Sequence, residues 1–256
     1  MRRTGMNKYQ RHEAIIRWVN EQGTVRVSEI VSRYNVSDMT VRRDLEELDD
    51  QGLLKKIHGG ARSNSAFQYK EIAHEDKFDK NTDQKRYIAQ RASELIDEGD
   101  VIFIGPGTTT ALLAEVINYQ ALSVVTNCLP IFNILLKKKS ETFHVYLLGG
   151  EMRSVTQSFV GEITNMSLEN MRFGKIFFGG NGVKDGIVMT SSVAEAYTQK
   201  MALEHSVESY LLLDSSKVGK EDFSKLCHLS DLTAVVMEES NEDKKQAIQV
   251  YTELIV

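Results

Sequence analysis

The 256-residue sequence predicts an α/β protein in two parts: an N-terminal winged helix-turn-helix, then a mainly parallel α/β sheet. Three observations carry that prediction. An apolar stripe at Val41, Leu45 and Leu48 runs under a basic pair, Arg42 and Arg43, in a segment that opens on Ser37, a helix-capping residue type. A short basic segment holding Lys55, Lys56 and His58 ends in Gly59 and Gly60, which allow a tight turn. From Gln84 onward, helix-period segments alternate with short apolar runs that end in glycine, threonine, asparagine or aspartate.

Arg11, Ile15 and Val19 recur every four residues and predict a first helix that stops at Gly23. Residues 24–27 read as a short extended piece, and Ser28 begins a second short helix with Ile30, Val31 and Tyr34 on one face. After a tight turn at Asn35, the start of the third helix has a physical cause. The Ser37 hydroxyl accepts from free amides of the first turn, and Asp38 complements the positive end of the helix dipole. Helices joined by so short a turn form a helix-turn-helix.

Met39, Thr40, Arg42 and Arg43 fall off the buried stripe, where guanidinium groups can reach guanine O6 and N7 or flanking phosphates. An Arg-Arg pair on an isolated helix is more often a solvated surface. The basic hairpin beside it changes that reading, because it forms a wing able to touch the phosphate backbone. The candidate contacts to double-stranded DNA are Ser37, Met39, Thr40, Arg42, Arg43, Lys55, Lys56 and His58. Glu46, Glu47, Asp49 and Asp50 make the far half of the helix acidic, so that half is expected to turn away from DNA.

The net charge of −5 does not itself advertise a polyanionic partner. Its distribution does, since residues 1–60 hold 11 Lys and Arg against 9 Asp and Glu, and the remainder 20 against 27. Cys128 and Cys227 lack CxxC spacing, and the six histidines lack ligand spacing, so no disulfide framework, metal or other cofactor is expected. The first residues lack the apolar run of a secretion signal, and no stretch approaches a membrane span. A cytoplasmic protein without a membrane partner is expected, with Met1 and Met6 both open as its start.

The predicted domains are 1–61, a linker over the polar stretch 62–80, and 81–256. In the last of these, a helix carries Ile88, Ala92, Leu95 and Ile96. Apolar strands are predicted at 101–104, 122–125, 145–148, 176–178, 210–213 and 234–237. Apolar strands separated by helices make a largely parallel sheet covered on both faces.

Ligands of such sheets bind beyond the carboxyl ends of the strands. Gly105, Gly107, Thr108, Thr109 and Thr110 follow the first strand; the glycines admit an anion close to the backbone, while hydroxyls and helix-opening amides point at it. This is neither a Walker A loop nor the GxGxxG of dinucleotide folds, so nucleotide hydrolysis is not predicted. Thr126, Asn127, Gly149, Gly150, Asn181, Asp214 and Lys217 end other strands and complete the candidate effector-binding set. Glu195, in a helix beginning near Ser191, and Asp214 are the residues that a proton-transfer enzyme would use as base, with Lys217 as electrophile.

Arg11-x3-Ile15-x3-Val19, Ser37-x2-Thr40-Val41-Arg42-Arg43-Asp44-Leu45 and His58-Gly59-Gly60-Ala61 together resemble the signature of the DeoR family of bacterial transcription regulators. Gly107-Thr108-Thr109, Thr126-Asn127, Gly149-Gly150, Asn181-Gly182 and Asp214-x2-Lys217 match the same family pattern, so the likeness spans essentially the whole chain. The resemblance implies a C-terminal domain similar to the ribose-5-phosphate isomerase and CoA-transferase-like fold, acting as a sensor of phosphorylated sugars. Its branch devoted to lactose metabolism implies a repressor induced by tagatose 6-phosphate. A homo-oligomer reading repeated half-sites is expected, since one small module offers little surface. The alternative is a sugar-phosphate isomerase with an appended DNA-binding domain.

Overall fold

The computed structural model describes residues 6–63 and 80–256, which fall in two compact units divided between Lys70 and Glu71. Most of the expected linker, 64–79, lies outside the described residues. Arg62 ends a strand, and Ser63 Oγ donates to Asn20 Oδ1 at 2.6 Å, so the folded N-terminal unit continues past residue 61.

That unit contains α1 (Lys8–Gln22), β1 (Thr24–Arg26), α2 (Val27–Tyr34), α3 (Asp38–Asp50), β2 (Lys55–Ile57) and β3 (Gly60–Arg62). Helix α2 starts one residue before Ser28, because the Glu29 carboxylate accepts from the Arg26 amide at 2.6 Å and fixes the first turn there. Asn35 takes the left-handed conformation that ends α2, and the Ser37 hydroxyl accepts from the Thr40 amide at 3.2 Å to open α3. The strands form an antiparallel sheet in the order β1-β3-β2. A Cβ at Gly60 would lie 2.3 Å from the Val25 carbonyl oxygen, so only glycine lets β3 close on β1. Ile15, Val19, Ile30, Val41, Leu45, Leu48 and Leu54 form the core, each side chain stabilising the unit by roughly 1.5–3 kcal/mol through burial.

The main sheet of the second unit consists of β4 (Val101–Ile104), β5 (Leu122–Thr126), β6 (Phe143–Leu147), β9 (Phe173–Gly179), β12 (Ser206–Leu212), β14 (Ala234–Val236) and β15 (Glu253–Ile255). These seven strands pair in the order β15-β14-β12-β9-β4-β5-β6, every pairing parallel. Each apolar run expected from the sequence lies in one of the first six or overlaps it; β15, three residues long and beginning with glutamate, carries no such signal. Around the sheet lie α4 (Thr82–Ser93), α5 (Thr108–Val116), α6 (Leu129–Leu136), α7 (Glu162–Glu169), α8 (Val193–Glu204) and α9 (Glu242–Gln249). Alternate strand residues enter opposite cores, with Ile102, Ile104 and Phe177 in one and Phe103, Ile176 and Phe178 in the other.

Two smaller sheets go beyond the sequence expectation: the hairpin of β7 (Glu151–Arg153) and β8 (Ser158–Val160), and the antiparallel set of β10 (Gly182–Lys184), β11 (Ile187–Thr190) and β13 (Ser224–His228). The chain builds outward from β4 to β5 and β6, then returns to place β9 on the other side of β4. The β4/β9 boundary is therefore a topological switch point, where the loops after the two strands diverge and leave a crevice. No described helix is long and apolar enough to cross a membrane.

Candidate functional site

On α3, Met39 is 66% exposed, and Arg43 is exposed with no ion pair among the described residues. Arg42 differs, because its guanidinium pairs with Asp38 one turn earlier, and the hydrogen bond and charge of that carboxylate raise its pKa. The hydroxyls of Ser37 and Thr40 bond to each other at 2.8 Å at the helix start. On the wing, Lys55 Nζ lies 3.1 Å from Asp49 Oδ1 and Lys56 Nζ 3.4 Å from Glu46 Oε2, while His58 is exposed at the hairpin. The acidic half of α3 thus holds the wing lysines, a role its sequence does not disclose.

Behind this surface, Asp44 accepts from Arg11 Nε at 2.6 Å and Arg11 Nη2 at 3.0 Å, with His12 Nε2 3.0 Å from the same carboxylate. Burial pushes the Asp44 carboxyl up, but the hydrogen bonds and charges of Arg11 and His12 outweigh it and hold the group below its ordinary value. Arg11, placed by spacing on the apolar face of α1, instead joins α1 to α3 through this buried pair.

In the second unit, an open cleft lies at the switch point. Pro106 and Gly107 after β4, with Thr108, Thr109 and Thr110 in the first turn of α5, form one wall. Gly107 has no side chain to cap α5, so no side-chain cap bonds the amides of that turn. Gly179 at the end of β9 and Gly180 and Asn181 after it also line the cleft, and Lys217 joins from a turn after β12. Asn181 Nδ2 donates to Asp222 Oδ2 at 2.7 Å, which fixes its side chain.

Helix α8 brings in Glu195 and Gln199, one turn apart and each 3% exposed. Glu195 Oε1 accepts the hydroxyls of Thr156 and Ser158 and lies 3.5 Å from Arg153 Nε. Gln199 Oε1 is buried without a hydrogen-bond partner among the described residues. Neither residue belongs to the effector set read from sequence, where Glu195 figures only as a possible base.

The structure thus gathers Gly107, Thr108, Thr109, Thr110, Asn181 and Lys217 in one cleft, whereas Gly105, Thr126, Asn127, Gly149, Gly150 and Asp214 do not line it. Asp214 is buried and lies 3.7 Å from Lys217 Nζ, and it accepts from Ser216 and, at 3.1 Å, from Asn81 Nδ2. Burial raises its pKa, and the Lys217 charge and these hydrogen bonds more than offset that, keeping it ionised as a support for the lysine. Gly105 packs beneath the loop against Phe178. Thr126 Oγ1 donates to the Ile104 carbonyl at 2.7 Å and Asn127 Nδ2 to the Phe159 carbonyl at 2.8 Å, which ties the β5 end to its neighbours. A Cβ at Gly150 would lie 2.1 Å from Thr164 Oγ1, while Thr164 donates to the Gly149 carbonyl, so these two glycines seat α7.

The family model described as the DeoR-like helix-turn-helix domain matches residues 11–67, and the DeoR C terminal sensor domain matches residues 80–239. The chain belongs to the DeoR family. Among curated relatives of this DeoR chain, the lactose phosphotransferase system repressor of Streptococcus mutans is 60% identical over 250 residues, 98% of this chain and 100% of that protein. The repressor of the same name from Staphylococcus epidermidis is 58% identical with the same coverage. Among solved structures, ribose 5-phosphate isomerase A from Methanocaldococcus jannaschii is similar over 54% of this chain and 55% of its own, at 16% identity and a TM-score of 0.40. The DeoR chain is a DNA-binding regulator of the sugar-operon repressor type and not an enzyme.

Proposed function

We propose that this DeoR regulator represses a lactose-utilisation operon by placing α3 and the β2–β3 wing on operator DNA, and leaves the operator when a phosphorylated sugar fills the cleft. The observation that carries the reading is the uncapped first turn of α5, facing the cleft beside Lys217. Open amides, the positive end of a helix and an ammonium group suit a phosphate dianion, and the hydroxyl and amide groups of the other walls suit a polyol. Tagatose 6-phosphate is the inducer that the resemblance and the names of the relatives favour. The regulator works as at least a dimer on repeated or inverted half-sites.

Release requires the sugar phosphate to bind the DNA-incompetent conformer more tightly than the competent one, since equal affinity would shift nothing. Gel-shift titration against a duplex selected by the wild-type chain tests this. Tagatose 6-phosphate should release the DNA while tagatose and inorganic phosphate do not, and Lys217→Ala should remain bound at inducer concentrations that free the wild type. Release of the Lys217→Ala variant at the wild-type concentration would remove the cleft from the mechanism.

A further inference from the structure

We infer that Gln199 is the residue with which the cleft distinguishes a sugar phosphate from a bare anion, its side-chain oxygen accepting from a hydroxyl of the ligand. This rests on the reading of the cleft as a sugar-phosphate site. Buried acceptors are almost always hydrogen-bonded, because leaving one unmade forfeits its hydration with no return. Gln199 Oε1 departs from that rule although its residue is only 3% exposed, and the residue lines a cleft open to small molecules.

Its neighbours explain why nothing among the described residues satisfies it. Glu195, one turn earlier on the same face of α8, draws the hydroxyls of Thr156 and Ser158 to its own carboxylate. The Thr110 hydroxyl donates to the Gly107 carbonyl at 2.9 Å. A Cβ at Gly105 would fall 3.5 Å from Gln199 Oε1, which sets the oxygen beside the loop that opens α5. A ligand whose phosphate lies on that first turn would bring its hydroxyls toward the α8 wall. An acceptor there rewards a sugar hydroxyl that reaches the α8 wall, whereas inorganic phosphate brings no such hydroxyl and offers at most its own P–OH.

Calorimetric titration of the full chain with tagatose, fructose, galactose and glucose 6-phosphates, and with inorganic phosphate, tests the assignment. Gln199→Met keeps the length of the side chain and removes the acceptor. It should weaken the best-bound hexose phosphate roughly ten- to a hundredfold, leave inorganic phosphate within about twofold, and leave ligand-free operator binding unchanged. The free variant should also melt no lower than the wild type, since an unpaired buried oxygen has been removed. Gln199→Leu, which deletes the same oxygen with a different shape, serves if the methionine variant does not fold. Equal hexose phosphate affinity in wild type and variant overturns the role of Gln199 alone. An equal loss for hexose phosphate and inorganic phosphate overturns it too, as general damage to the cleft. Failure of the wild type to bind any hexose phosphate overturns the sugar-phosphate reading itself.

Discussion

The proposed DNA-reading surface and the cleft use charge in opposite ways. Along α3 and the wing, Arg42, Lys55 and Lys56 sit at the surface, each held by a carboxylate of the same helix. In the cleft the polar groups are nearly buried: Glu195 is fixed by hydroxyls, Asp214 supports Lys217, and Gln199 has an oxygen to spare. Exposed pairs are weak and exchange readily for phosphates in water. Buried groups have already lost their hydration, so each hydrogen bond or ion pair made or broken there weighs more. On the proposed function, the surface suits fast, salt-sensitive exchange and the cleft suits selection.

The largest effect that tests this contrast belongs to the buried pair beneath the DNA surface. Asp44→Ala leaves the part-buried Arg11 guanidinium without its carboxylate; breaking a fully buried pair destabilises by about 3–5 kcal/mol, and this one should fall at or below the lower end of that range. Trp18, the sole tryptophan of the sequence, lies in α1, so its fluorescence in urea reports this unit. The pH dependence follows from the depressed Asp44 pKa. Its stabilisation is complete above the ordinary aspartate value of about 4 and fades as pH falls through the lower folded value. The stability gap between wild type and Asp44→Asn should therefore narrow only in acid; a gap that closes between about pH 8 and 6 would show that Asp44 is not its source.

Next in size is the recognition pair. Arg43 has no ion pair among the described residues to give up, whereas Arg42 must leave Asp38 before it can reach a base or phosphate. Arg43→Ala should weaken operator binding by roughly 1–3 kcal/mol if it makes a bidentate base contact. Arg42→Ala should weaken it less. Equal losses in gel-shift titrations would mean that the Asp38 pair does not hold Arg42 back.

These contrasts are unevenly legible in the sequence. The Ser37 cap, the α3 stripe and the loop from Gly107 to Thr110 are readable because their causes lie within a few residues. The Arg11–Asp44 pair spans 33 positions, and the spacing of Arg11 mimics an apolar helix face, so periodicity conceals its chemistry. Gln199 lies far along the chain from the α5 loop; on its own it reads as one more polar residue of a helix, and only the fold brings it to the cleft. A faint signal exists, since Glu195 and Gln199 sit one helical turn apart behind the helix-capping Ser192. The pairing of Lys55 and Lys56 with Asp49 and Glu46 depends on how the wing folds back on α3, which composition does not reveal.

The smallest predicted effect comes from that pairing. The Lys55 ammonium, aided by the Lys56 amide, holds the Asp49 carboxyl below its ordinary range, so the pair is formed at neutral pH. Each phosphate neutralised by a lysine contributes roughly 0.9 to the slope of log affinity against log salt, but a lysine that arrives already paired has fewer counterions to exchange. Asp49→Asn should therefore steepen the salt slope of operator binding by a fraction of one unit and tighten binding most at low ionic strength. Lys55→Ala should change the slope by less than a full phosphate's share. A full-unit change in Lys55→Ala with no effect of Asp49→Asn would show that the wing lysine meets DNA unencumbered, and that the acidic half of α3 does not temper the affinity of the surface beside it.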